Sequence, residues 1–231
     1  MIFLNRFLDC VQNDEPHGIA TSSRSGTPRN DRKQRGLKPT LQNWRNMNTI
    51  INSKVILKNG LEAVIQPAYA EDASQLLECF KSVAIEGKFI LSTLSDIEKI
   101  SPSIEKEAEW IKNTFDGGGI ILTAQINKKI EGYISITIDA MTRRKHIAVI
   151  GICMIKQYRN IGLGKALMES AINWAKETPK IEKLALSVFA DNVLAIKLYE
   201  KLGFLTEGRQ IREIKRGEND YVDTIMMYMS V

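Results

Sequence analysis

Arg159, Gly162, Gly164 and Lys165 fall in the stretch QYRNIGLGKAL (157–167), between an apolar run and a helical pattern. The first N–H groups of a helix have no partner inside it and together carry roughly half a positive charge. Glycine lets an anion approach the backbone with no Cβ in the way. Two basic side chains add charge nearby. The chemistry this combination can do is to hold a pyrophosphate against main-chain amides. The same residues also describe a tight strand-to-helix turn with solvated basic side chains, and the stretch alone does not separate the two.

Two familiar phosphate loops are excluded. A Walker loop, G-x-x-x-x-G-K-[ST], would need its first glycine at Arg159 and its metal-binding hydroxyl at Ala166. A dinucleotide fingerprint, G-x-G-x-x-G, would need a third glycine at Leu167 and an early βαβ unit.

The elements that must position this stretch follow from periodicity and punctuation. A strand is predicted over 61–68, ended by Pro67. A helix over 70–86 puts Ala73, Leu76, Leu77 and Phe80 on one face. A second helix, 101–115, has Ser101 as cap, Pro102 in its first turn, and Ile104, Ala108 and Ile111 at helical spacing. Strands 119–126 and 129–139 are joined by Asn127 and Lys128 as a tight hairpin. The apolar run 147–155 reads as a central strand covered on both faces. A helix over 164–177, a strand over 183–189 and a helix from Asp191 to Lys201 follow. Asp191 is the expected N-cap of the last helix and Gly203 its C-terminal stop. An antiparallel pair around the turn 215–220 closes the chain. Trp110 and Trp174 read as core.

The 231 residues suit one domain of ordinary size plus an appendage. Residues 1–48, rich in Ser, Arg, Gly and Pro, read as a disordered or loosely attached basic extension, and 53–231 as the folded domain. Met47 is an alternative start. The opening MIFLNRFLDC lacks the basic region and length of a secretory signal, and no run is long enough to cross a membrane. The net charge is +5, but residues 1–46 hold eight Lys/Arg against four Asp/Glu, so the remainder is near neutral. That argues against a nucleic-acid partner. Cys10, Cys79 and Cys153 have neither metal spacing nor a disulfide pattern, which points to a reducing, cytoplasmic setting and to no metal.

A second motif, NVLAIKLYEKLGF (192–204), follows the glycine stretch. Together the two resemble the GCN5-related N-acetyltransferase (GNAT) family over about residues 60 to 229. Arg159, Gly162 and Gly164 match the family's R-x-x-G-x-G/A. Asn192, Ala195, Leu198, Tyr199, Gly203 and Phe204 match N-x-x-A-x-x-L-Y-x-x-x-G-F. The resemblance implies an α/β (α+β) fold, with a central mixed, mostly antiparallel twisted sheet of about seven strands flanked by about four helices. It implies acetyl-CoA as co-substrate. The pantetheine arm would lie along the backbone of Ile152, Cys153 and Met154. The pyrophosphate would rest over Arg159, Asn160, Ile161, Gly162, Leu163, Gly164 and Lys165, held mostly by main-chain N–H groups. Asn192 matches a contact to the cofactor arm. Tyr199 matches the acid that protonates the departing thiolate, although a packed core ring accounts for it too.

The implied reaction is direct attack by a primary amine on the thioester, with the Met154 N–H placed to steady the oxyanion. Family members often carry a glutamate where this chain has Val149 and Ser187, so the general base is unassigned. His146, Glu131 and Glu86 are candidates; a water chain or an amine arriving neutral needs none. Transfer through the Cys153 thiol lacks an activating partner. The substrate, a small-molecule amine or amino acid, or a protein N-terminus, should be set by the first two helices and the 139–146 loop. A homodimer through the last strand is a further implication. The alternative class is a non-catalytic acyl-CoA-binding module, which has no need of Tyr199.

Overall fold

The computed structural model describes residues 53–231. The expectation for residues 1–48 lies outside them. The described chain forms eight strands: β1 (Ser53–Ile56), β2 (Glu62–Pro67), β3 (Ile120–Ile126), β4 (Lys129–Ile138), β5 (Ile147–Met154), β6 (Lys183–Phe189), β7 (Leu205–Lys215) and β8 (Tyr221–Ser230). Five helices accompany them: α1 (Ala73–Glu86), α2 (Leu94–Ile100), α3 (Ile104–Asp116), α4 (Leu163–Lys176) and α5 (Val193–Lys201). All eight strands belong to one sheet, in the order β1-β2-β3-β4-β5-β6-β8-β7. Every pairing is antiparallel except β5 with β6.

The fold class expected from the sequence is the one observed, with one strand and one helix more. The additional strand, β1, has only four residues and a half-buried pattern, so its alternation is weak. The additional helix, α2, buries only Ile97. It starts at Thr93, whose hydroxyl accepts from the Asp96 N–H while the Asp96 carboxylate accepts from the Thr93 N–H.

This short helix moves the next boundary. Ser101 ends α2 and does not cap α3; its hydroxyl donates to the buried Glu107 carboxylate at 2.7 Å. Ser103 caps α3, and Ile104, expected on the buried face, is 50% exposed. At the last helix the cap is Asn192, whose Oδ1 accepts from the Ala195 N–H, whereas Asp191 pairs with Arg216.

Two apolar layers sandwich the sheet. On one side α4 packs Leu163, Leu167, Ala171 and Trp174 against Ile134, Ile136 and Ile150. On the other, α1 and α3 bring Leu76, Phe80 and Ile111 against Ile121, Tyr133 and Cys153. β5 lies in mid-sheet between the layers, as its apolar run requires. Its coverage is uneven: Ala148, Val149 and Ile150 are buried, but Gly151, Ile152 and Met154 are only partly so.

The hairpin between β3 and β4 turns through Asn127 (φ 51°) and Lys128 (φ 66°), both left-handed, as a two-residue type I′ turn requires. A lysine there carries a steric cost of roughly 1 kcal/mol that glycine avoids. Lys128→Gly should therefore raise the melting temperature by about 2–4 °C, read by calorimetry. An unchanged or lower value would mean that the turn is not strained at this position.

Candidate active site

β5 and β6 run side by side only at their starts. Their register ends at Val149↔Ala185, although β5 continues to Met154 and β6 to Phe189. Each strand stays paired on its other edge, β5 with β4 as far as Met154 and β6 with β8 as far as Phe189. The two strands part, and the edge of β5 facing β6 opens.

Strand alternation decides which groups that edge presents. The Ile155 N–H donates to the Glu131 carbonyl in β4 at 3.0 Å, so Cys153 and Gly151, two and four residues back, face β4 as well. Ile152 and Met154 face the gap. Of the three residues expected to present their main chain, Ile152 and Met154 have it directed there, while that of Cys153 is committed to Tyr133. The Cys153 side chain turns toward α1, with Sγ 4.0 Å from the Cys79 carbonyl oxygen.

The glycine stretch continues from this edge. Asn160 (φ 64°) and Gly162 (φ 101°) are both left-handed, and Gly162 is the N-cap of α4. Alternating conformations of this kind turn successive N–H groups into one concavity suited to an anion. Among the described residues no acceptor pairs with the N–H groups of 160–165; the first bonded one is Ala166, to the Gly162 carbonyl. A Cβ on Gly162 would meet nothing within 4 Å, so the space over the loop is open. A Cβ on Gly164 would lie 2.9 Å from the Met154 Cε, at the movable end of that side chain, which would have to shift.

The basic side chains are not directed at this seat. Arg159 grips Glu86 at the end of α1 through two parallel hydrogen bonds of 2.7 and 2.8 Å. Its Nε and a terminal nitrogen also donate to the Met154 carbonyl, at 3.0 and 2.8 Å. Lys165 pairs with Glu169 one turn along α4, half exposed. What faces the open space is amide, with the guanidinium behind it as a brace.

Tyr199 sits in α5 and is 6% exposed, its ring 6.1 Å from that of Phe204. The preceding residue, Leu198, lies against Gly164. Burial pushes the Tyr199 phenol up to about 12, so it holds its proton through neutral pH. Among the described residues the hydroxyl has no hydrogen-bond partner, yet it is not sealed from solvent. Core packing and a free phenolic proton thus coexist at one residue.

Beside the open edge, on the α1 face, lies a cleft of about 130 Å³. Phe80, Phe89, Trp110, Tyr133, Ser135 and Val149 are among its walls. Trp110, expected in the core, is a wall of this cleft, its ring set edge-on to Tyr133 at 6.3 Å. None of the candidate bases lines it. Glu86 is held by Arg159. Glu131 is buried at a bulge in β4, where burial and its carboxylate push the Tyr158 phenol above its usual value. His146 sits at the start of β5, its carbonyl accepting from the N–H groups of Glu182 and Lys183.

The model of the acetyltransferase (GNAT) family matches residues 89–204, half of the chain. The chain belongs to this family. The L-amino acid N-acetyltransferase AaaT of Escherichia coli (strain K12) is 34% identical over 119 residues, 51% of this chain and 73% of its own. An N-alpha-acetyltransferase of Sulfurisphaera tokodaii is 28% identical over 114 residues, 45% of this chain and 65% of its own. The crystal structure of a GNAT-family acetyltransferase from Streptococcus pneumoniae superposes with a TM-score of 0.69 at 31% identity, covering 73% of this chain and 99% of that one. This GNAT protein is accordingly an acetyl-transferring acyltransferase. Among its described residues no cluster of three or more His, Cys, Asp or Glu could hold a metal, and no helix is long and apolar enough to cross a membrane.

The Glu86–Arg159 pair was not foreseeable from spacing, because its partners are far apart in sequence. Both side chains are about three-quarters buried. Glu86→Gln should lower stability by about 1–3 kcal/mol in chemical denaturation, as expected for hydrogen bonds to charged groups. Arg159→Lys should cost a similar amount because the fork is lost. The double variant should be no worse than either single one. Simple additivity would show that the two side chains do not act together.

Proposed function

We propose that this GNAT protein transfers the acetyl group of acetyl-CoA to a primary amine by direct attack. The observation that carries this reading is the open edge of β5 running into six amides at the head of α4 that have no acceptor among the described residues. An extended amide-bearing arm can pair with Ile152 and Met154 as an added strand would, and a diphosphate can rest on the N–H groups of 160–165. Asn192, as the cap of α5, lies next to the end of β6, across the gap.

The chemistry assigns each group one task. The neutral amine attacks the thioester carbonyl carbon, and a C–N bond forms. The oxyanion develops facing the Met154 N–H. The C–S bond then breaks, Tyr199 gives its proton to the thiolate, and the proton left on nitrogen departs to water. Tyr199 holds its proton through neutral pH and can release it only as charge develops on the sulfur. The amine arrives neutral in this scheme, since no carboxylate or imidazole lines the cleft among the described residues. The relatives named as L-amino acid and N-alpha-acetyltransferases support an amine acceptor, a free small molecule or amino acid first, a peptide N-terminus second.

Thiol release from acetyl-CoA over a panel of amines tests this reading. Tyr199→Phe should lower kcat by about 100-fold, within the usual range for a general acid, while CoA affinity stays unchanged. An equal kcat would leave Tyr199 a packed ring. Tight CoA binding without thiol release from any amine would favour a non-catalytic binding module.

The pH profile is a second check. kcat/KM should rise about tenfold per pH unit until the amine's own pKa, with no earlier plateau from an enzyme base. Tyr199, at about 12, should cause no alkaline fall below that region. A plateau near pH 6 to 7 would reveal a histidine or carboxylate base.

Gly164→Val should weaken CoA binding by at least about tenfold in calorimetric titration, with the far-UV spectrum preserved. Undiminished affinity would remove the loop from the proposal.

A further inference from the structure

We infer that the acceptor is a monoamine carrying an apolar group about the size of one aromatic ring, and that polyamines are excluded. The inference rests on the acetyltransferase reading and specifies its second substrate.

The walls of the cleft carry it. Four aromatic rings, Phe80, Phe89, Trp110 and Tyr133, are among the walls of a cleft of about 130 Å³. A dry apolar cavity of about 150 Å³ is known to take one benzene. Phe89 comes from the segment between α1 and α2 and meets Phe189, at the end of β6, edge-on at 6.3 Å. This contact links the cleft wall to the end of β6, across the gap from β5.

Charge excludes the alternatives. Among the described residues no charged side chain lines the cleft. Three acids elsewhere in the domain are held in ion pairs: Glu86 with Arg159, Asp139 with Arg144, and Asp191 with Arg216. A second ammonium entering here would find no carboxylate among the described walls to pair with. Lys88 stands over one of these rings, its Nζ 5.1 Å from the Phe89 centroid. It repels a polycation and tolerates a neutral or anionic tail. The polar wall groups include the hydroxyls of Ser92 and Ser135, which can hydrogen-bond one amine without charge.

The test compares phenethylamine, ethylamine and spermidine by thiol release with the full chain at pH 8. The kcat/KM for phenethylamine should exceed both others by at least about tenfold, the discrimination that a filled apolar pocket provides. Phe89→Ala should narrow the ratio of phenethylamine to ethylamine. Calorimetry with CoA present supplies a readout that does not need turnover. Spermidine reacting as fast as phenethylamine, or faster, would overturn the acceptor class and leave the transferase standing. Phenethylamine binding more tightly than spermidine, with no thiol release from any amine, would overturn the transferase and support the preference of the cleft. Absence of both would overturn both.

Discussion

The parting of β5 from β6 is the constraint on which the rest of the structure depends. Unpaired main-chain groups in a mid-sheet strand are costly unless water or a ligand meets them. Here the chain holds the gap open from both sides. β4 keeps β5 in register as far as Met154, and β8 keeps β6 in register as far as Phe189. Neither strand can swing across to close the ladder without losing bonds it already has. Arg159 adds a third restraint, because it takes the Met154 carbonyl that a parallel partner would otherwise use. The side chain that seemed suited to a phosphate thus keeps the slot open.

That commitment has an electrostatic consequence. With Arg159 tied to Glu86 and Lys165 to Glu169, the attraction for an anion at the head of α4 comes mainly from oriented amides. Amide dipoles act over the first turn of a helix and fade quickly beyond it. Such a seat favours a group pressed directly onto the loop over one hovering at long range. It also gives the two glycines of the loop separate parts. Gly162 supplies a left-handed turn with empty space above it, and Gly164 lets the helix start close against Met154.

Most of this architecture was legible because its signals are local. The faces of α1 and α4 follow from spacing, and all of Ala73, Leu76, Leu77, Leu163, Leu167 and Trp174 are buried. The hairpin at Asn127–Lys128 and the stop at Gly203 follow from turn chemistry. The misplaced boundaries arose where two similar residues compete. Ser101 and Ser103 can each cap a helix, and the buried Glu107 decides between them by taking the Ser101 hydroxyl. Asp191 and Asn192 compete likewise, and Arg216 removes Asp191 from the contest. Within the site, the glycines and Tyr199 were marked by spacing. The Glu86–Arg159 brace and the aromatic cleft were not, because segments distant in the chain meet there.

The absence of an ionisable base among the described walls of the cleft has a physical counterpart. Removing an amine from water into an aromatic enclosure disfavours its charged form, as burial does for lysine, and so lowers its pKa. Burial acts in the opposite sense on the Tyr199 phenol, whose charged form is the deprotonated one, and holds its proton in place. In the proposed reaction the nucleophile needs to lose a proton and the leaving thiolate needs to gain one. Desolvation favours the neutral form of both groups: it eases loss of the amine's proton and makes the phenol a weaker acid, so transfer from Tyr199 waits on the charge that builds on sulfur. A carboxylate in the cleft would assist the first step but would also stabilise the ammonium by pairing with it. A site built of rings and hydroxyls therefore gives up general-base assistance and gains selectivity for an amine that sheds its proton on entry.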